Sequence, residues 1–199
     1  MVARPKQPLI TRQRAAREAL NVIDIHGLEK FSMNMVARRM GVRDSSIYHH
    51  FSDKADLLAE ASRLVLLNLD IPEDSAMTWE ERYISLAVAT RQSILRHPNI
   101  APLLIQLLPR RILLSGYERF LSDCPLPSVL HMTLLEGIEK LAFGSALFEA
   151  ASRSAGIDPM PHIDRDKYPL LAEAIRSNPF DLEELFVETI KRFYAGLCT

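Results

Sequence analysis

The chain has 199 residues, 48% hydrophobic and 25% charged, with two cysteines and a formal net charge of −1. Such a chain can bury roughly 70% of its unfolded surface without covalent staples, which excludes a disulfide scaffold and a disordered polymer. No run of about 18 uncharged apolar residues occurs and no charged-then-apolar leader opens the sequence, so no membrane span and a soluble, cytoplasmic protein are expected. Charge is uneven along the chain. Residues 1–58 hold ten Lys/Arg against six acids, a balance of +4, and the rest fourteen against nineteen, a balance of −5. The first seventeen residues carry five bases and no acid, which suits either an arm lying against phosphates or a solvated tail. Cys124 and Cys198 have neither metal-ligand nor CxxC spacing, read as reduced thiols and are assigned no function.

In chain order, residues 11–26 form a first helix, with Ala16, Ala19, Leu20 and Ile23 as its buried stripe and Gly27 closing it. Met33, Val36, Ala37 and Met40 then fall at i, i+3, i+4, i+7, leaving Arg38 and Arg39 on the far face, and Gly41 supplies a left-handed stop. In the next short helix Ile47 and Phe51 point inward while Ser45, Tyr48 and His49 point outward, and Asp44 is the expected cap. Ser52 should cap a fourth helix that has Asp53 and Asp56 in its first turn and runs through Leu57, Leu58, Ala61, Leu64 and Val65 toward Leu69. A short helix, a glycine turn and a second short helix ahead of a longer one is the layout of a helix-turn-helix DNA reader.

A loop over 70–77 follows. Thr78 and Glu81 then form a capping box that opens a helix reaching His97, and Pro98 ends it. Residues 100–108 have only Gln106 as a polar side chain and are either core or the wall of an apolar cavity. A helix over 111–123 stops at the CPLP run of residues 124–127. The next, over 128–154, is apolar almost all round between Leu141 and Phe148, so something must cover its outer face. A loop over 156–169 and a short helix over 170–177 lead to a last helix from Asp181, with Leu182, Leu185, Phe186, Thr189, Ile190 and Phe193 at helical spacing. No alternating strand pattern appears. The fold class expected is all-α: an N-terminal three-helix helix-turn-helix domain over 1–58 and a larger C-terminal helical ligand-binding and dimerisation domain over 59–199.

Gly27, Ser32, Ala37, Gly41-Val42, Tyr48-His49-His50-Phe51, Lys54 and Leu57-Leu58 fill, at matching spacing, the slots of a known pattern. Over residues 15–58 the chain resembles the amino-terminal domain of the TetR family of bacterial repressors. Two departures are Arg43, where a small capping residue is usual, and Asp44-Ser45-Ser46 at the start of the reading helix. The resemblance implies a two-fold homodimer whose last two long helices form a four-helix bundle, with Gly137, Gly144 and Ala146 allowing close approach. It also implies a near-palindromic double-stranded DNA operator. Ser45, Ser46 and His49 are the candidates for base edges or nearby phosphates, and Arg43 for a guanine or a phosphate. Tyr48 and Lys54 are carried over from the family as phosphate contacts, and Ser32 joins them at a helix amino-terminus.

In this family a small molecule bound in the body changes the separation of the two heads, and helix four, with Arg63 and Leu64, would carry that motion. A loose resemblance to the tetracycline repressor through Trp79, Arg91, Arg96 and Pro109 puts Leu86, Thr90 and Leu104 at its drug and metal positions. None of these holds a divalent ion, so neither metal nor cofactor is expected. An apolar or aromatic effector fits better, with Leu104, Ile105, Leu108, Tyr117, Phe120 and Phe143 as candidate walls and Gln92, Gln106 or His131 as polar handles. A helical core would use the same residues.

The function expected is a ligand-responsive transcriptional regulator, a repressor released from its operator by that effector. The alternative is a DNA-bound organiser or coregulator whose body binds a protein partner. An enzyme is not expected. No phosphate loop, nucleophile elbow or metal-binding helix motif is present, and the adjacent His49 and His50 diverge by about 100° on a helix.

Overall fold

The computed structural model describes residues 10–71, 76–106, 113–158 and 160–198, and every regular element among them is helical. The elements are α1 Arg12–His26, α2 Met33–Met40, α3 Asp44–Tyr48, α4 Lys54–Leu67, α5 Trp79–Arg96, α6 Ala101–Gln106, α7 Leu114–Leu121, α8 His131–Ala155, α9 Pro169–Ser177 and α10 Leu182–Leu197, with single 3-10 turns at Pro98–Ile100 and Ser128–Leu130. Two compact units result. Unit 1 comprises Met1–Asp70 with Arg96–Ser122, and unit 2 comprises Ile71–Leu95 with Asp123–Thr199. Among the described residues no helix is long and apolar enough to cross a membrane.

Unit 1 is built on α1 against α4. Ala15, Ala16 and Ala19 on one helix and Leu57, Ala61 and Val65 on the other are all buried, and the alanines let the backbones approach. Thr11 caps α1 by accepting from the Arg14 amide at 3.1 Å. Ser32 caps α2 through the Met35 amide at 3.4 Å. Gly41 stands in the left-handed region at φ 69°, where its amide and that of Val42 reach the last carbonyls of α2. Two expected caps are displaced by one residue. Arg43, not Asp44, holds the cap position of α3 and does so without a side-chain bond, because the Asp44 carboxylate is taken by Asn34 Nδ2 at 2.6 Å. Asp53, not Ser52, caps α4, accepting from the Asp56 amide at 2.8 Å. Ser52 instead donates its own amide to Asp56 at 3.0 Å.

The chain returns to this unit after α5. His97 Nδ1 lies 2.8 Å from Asp24 Oδ2, and Asn99 Nδ2 donates to the carbonyls of Ile23 and Asp24 at 3.3 and 3.0 Å. The Pro98–Ile100 turn is thereby fastened to the end of α1. Ile100, Ala101, Leu103 and Leu104 are buried here, so the apolar run serves as core at these positions. Its last residues, Leu107 and Leu108, lie outside the described residues, as does the expected start of the following helix at Arg111.

In unit 2 the Thr78–Glu81 capping box forms as the sequence indicates: Thr78 Oγ1 accepts from the Glu81 amide at 3.2 Å and the Thr78 amide donates to Glu81 Oε2 at 2.7 Å. α8 packs on α10 so closely that a Cβ on Gly137 would meet the Phe193 ring at 2.1 Å. That glycine therefore serves a contact within the chain. Arg91, 3% exposed, joins three helices: Nε donates to Ser145 Oγ at 2.9 Å, the guanidinium pairs with buried Glu149, and Glu183 stands 3.9 Å away. Trp79 stacks on Tyr83 and on Tyr194 at 5.8 Å each. The Tyr83 hydroxyl donates to the Leu134 carbonyl at 3.3 Å, and burial pushes its pKa up. By contrast α9 buries no residue, and Phe148, Met132, Leu182 and Leu185 of α8 and α10 are exposed.

Candidate nucleic-acid interface

α3, the candidate reading helix, is only five residues long, too short to hold itself in water, so its position is set by what lies beneath and beside it. Ile47 is fully buried and Phe51 nearly so. The Arg12 guanidinium lies 4.2 Å over the Phe51 ring, donates to the His50 carbonyl, and pairs with Asp56 at 2.5 and 3.2 Å. Arg12 thus ties the start of α1 to the α3–α4 junction. Its hydrogen bond, more than any other influence, holds the Asp56 carboxyl below the usual range, and the same bond raises Arg12. The sequence leaves Arg12 among the five bases of either a phosphate-contacting arm or a solvated tail; the structure uses it as a brace. Arg4 and Lys6 of that arm lie outside the described residues.

With the inner face fixed, Arg43, Ser45, Tyr48 and His49 are exposed together and Ser46 is half-buried at their edge. Among the described residues Arg43 has no acidic partner within ion-pair distance. Arg39 differs, since its Nε bonds Glu18 at 2.9 Å. Burial works to raise the Glu18 carboxyl, but hydrogen bonds from Arg39 and Asn21 outweigh it and leave it lowered. Arg38 remains exposed beside it. The other two candidates meet at the opposite end of the motif: Lys54 Nζ donates to the Phe31 carbonyl at 2.9 Å and sits 5.4 Å from the Phe31 ring, next in sequence to Ser32. Because Ser32 Oγ acts as acceptor in its cap, its proton stays available to an anion, as do two of the three Lys54 donors.

The effector candidates divide between the units. Leu104, Ile105, Tyr117 and Phe120 belong to unit 1, and Gln92, His131 and Phe143 to unit 2. Leu104 is buried while Ile105 is more than half exposed. Tyr117, Phe120 and Phe143 are half-buried. Two of the three polar handles are engaged within unit 2, Gln92 Nε2 donating to Glu183 at 3.0 Å and His131 Nε2 bonding the Leu126 carbonyl at 2.9 Å, while Gln106 is exposed. None of the candidates lines the concavity of about 840 Å³ formed by the 158–165 loop and α9. That concavity was not anticipated, and its lining of prolines, isoleucines and mixed charges gives no periodic signal.

Comparison with known proteins matches these features. The description "Bacterial regulatory proteins, tetR family" fits residues 16–61, which span α1 to the first half of α4. An HTH-type transcriptional regulator of Saccharopolyspora erythraea is 30% identical over 97 residues, 49% of this chain and 41% of that protein. The HTH-type transcriptional regulator SAB2452 of Staphylococcus aureus is 38% identical over 52 residues, 26% of this chain and 28% of that protein. The chain thus spans less than half the length of these curated relatives. Solved structures share the whole fold at lower identity. SCO7222, a TetR from Streptomyces coelicolor, aligns with TM-score 0.78 and 22% identity over 94% of this chain and 97% of that one. ActR of the same organism, in complex with actinorhodin, gives 0.72 and 21% over 96% and 98%. The tetR-family description thus covers the helix-turn-helix with its outward basic and hydroxyl row, and the solved TetR structures share the all-helical fold of the whole chain.

Proposed function

We propose that the chain is a ligand-responsive transcriptional repressor that binds a near-palindromic operator as a homodimer and leaves it when a small, largely apolar effector binds. The observation that carries the DNA reading is the exposed row Arg43, Ser45, Tyr48 and His49 held over buried Ile47 and Phe51. Arg43, Ser45, Ser46 and His49 take base edges and adjacent phosphates, while Tyr48, Lys54 and Ser32 hold the flanking backbone. Exposed apolar side chains on α8 and α10, Phe148 and Leu185 among them, support pairing of two copies, and two copies present two reading helices at a fixed spacing. Effector control is supported by the architecture's record: solved relatives hold actinorhodin in ActR and minocycline in an Acinetobacter baumannii TetR. For a useful switch the effector must distinguish the two conformers by about 1–3 kcal/mol or more.

Fluorescence anisotropy of the full chain on the duplex upstream of its own gene, against a scrambled duplex, tests the reading. Binding about a thousandfold tighter than to the scramble, steeply weakened by salt and lost in a folded Tyr48→Ala protein, is the expected result. Equal affinity for both duplexes, followed by failure of genome-wide site selection to enrich any palindrome, overturns it.

A further inference from the structure

α3 opens on an acid. Asp44 is its first residue and is exposed, as are Arg43 and Ser45 on either side of it. A spacing of four puts Asp44 on one helix face with exposed Tyr48, so its carboxylate stands inside the row that the proposed reading gives to DNA. Among the described residues it has no cationic partner within ion-pair distance. Its partner is neutral: Asn34 Nδ2, from the first turn of α2, donates to Asp44 Oδ2 at 2.6 Å. Asn34 is half-buried, and its helix is seated on buried Met33, Val36, Ala37 and Met40. The bond therefore runs from a firmly packed helix to one too short to hold itself, and it fixes the direction of the carboxylate. Among the described residues no donor reaches the other oxygen, Oδ1.

An acid in this row opposes DNA affinity in general, because phosphates carry the same sign. What it can supply is discrimination. An ionised carboxylate only accepts hydrogen bonds, and the base edges that donate in the major groove are cytosine N4 and adenine N6. Guanine presents O6 and N7, and thymine presents O4, all acceptors. Adenine also turns its N7 acceptor toward a contact at N6, whereas cytosine offers its amine alone. With Oδ2 held by Asn34, Oδ1 is the oxygen left to receive that amine.

We propose that Asp44 is a specificity-determining residue, accepting from the N4 amine of a cytosine at one position of each half-site and rejecting guanine and thymine there, and that Asn34 is its positioning residue. This inference rests on the DNA reading above and adds to it a residue which that reading leaves unassigned. The two charges at the start of α3 then have opposite roles, since Arg43 can only donate and Asp44 only accept.

Selection from a randomised duplex pool by the full chain, followed by sequencing, tests it. Wild type should enrich a near-palindromic site in which one symmetric position prefers cytosine to guanine or thymine by about tenfold. Asp44→Ala should enrich the same site with that position alone levelled. Asp44→Asn, which keeps the shape of the side chain and serves if Asp44→Ala does not fold, should move the position toward adenine, whose N6 and N7 match an amide. Asn34→Ala should weaken the cytosine preference and leave the other positions as they are; undiminished preference removes its positioning role. If the Asp44 variants enrich the wild-type site unchanged, or lose preference evenly at every position as a merely structural acid would, the inference fails while the DNA reading stands. A wild-type chain that enriches no site overturns the DNA reading and this inference with it.

Discussion

Unit 1 and unit 2 are both helical, yet they finish their surfaces differently. In unit 1 the apolar stripes of α1 to α4 are buried apart from Ile25 and Leu67 near helix ends, and the exposed face of the motif is polar, with Tyr48 as its large ring. Unit 2 leaves Phe148 82% exposed, Leu170 86% exposed, and α9 without a buried residue. Large apolar side chains left in a row on long helices mark a surface that another molecule completes. The contrast teaches that the helix-turn-helix can be read as a finished object, whereas under the proposed pairing the body is half of one.

Substitutions of the same residue type in the two regions give the sharpest test. Phe51→Ala should cost about 3–5 kcal/mol in the stability of unit 1, read by denaturant unfolding, because it empties a filled position beneath the reading helix. Phe148→Ser should leave folding within about 0.5 kcal/mol and shift the sedimentation mass toward monomer. An equal loss of stability in the two variants would erase the distinction. Inside unit 2 the most sensitive polar position is Arg91. Arg91→Ala strands buried Glu149, whose remaining partner Arg153 is exposed, and should cost about 3–5 kcal/mol. Pairing Arg91→Met with Glu149→Leu should recover much of that loss.

Smaller effects distinguish the caps. Asp53→Ala should lower stability by about 1 kcal/mol. Ser52→Ala should fall well short of that, since its amide contact to Asp56 survives and its hydroxyl lies 3.4 Å from the carboxylate. A small change is also expected at Arg12→Gln, whose ion pair is solvated and worth about 1 kcal/mol or less. Its signature is the pH dependence. Asp56 is depressed in the folded state, so the contribution of the pair is present above the unfolded carboxylate range and is lost as pH falls through the folded value. Wild type and Arg12→Gln should converge in acid, as followed by thermal melts.

The motif was legible because its logic is local. The spacing of Met33, Val36, Ala37 and Met40, the left-handed Gly41 and the inward Ile47 and Phe51 all act within one or two turns. The Thr78–Glu81 box was readable for the same reason. Positions decided by distant partners were not. Arg12 is one of five bases in its segment, and nothing nearby distinguishes it from a phosphate contact; its partner Asp56 is 44 residues away. Arg91 and Glu149 are 58 apart, with no sequence signal that either is buried. The caps moved by one residue because Asn34 holds the Asp44 carboxylate, and because Asp53 takes the Asp56 amide while Ser52 turns its own amide and hydroxyl to the Asp56 carboxylate. The effector candidates were least legible, because leucine and phenylalanine at helical spacing serve a core and a cavity wall alike.

The fastening of Asp24 and the Ile23 carbonyl by His97 and Asn99 makes the head discontinuous in the gene. A fragment ending at Asp70 contains every residue of the helix-turn-helix but lacks the second strip of chain that closes the end of α1. Transplanting residues 1–70 onto another body would therefore carry over the proposed reading residues while leaving the end of α1, where Ile23 is fully buried in the intact protein, without the Pro98–Ile100 turn that packs on it. The modular unit for grafting this specificity is two segments, with the helical excursion of α5 between them.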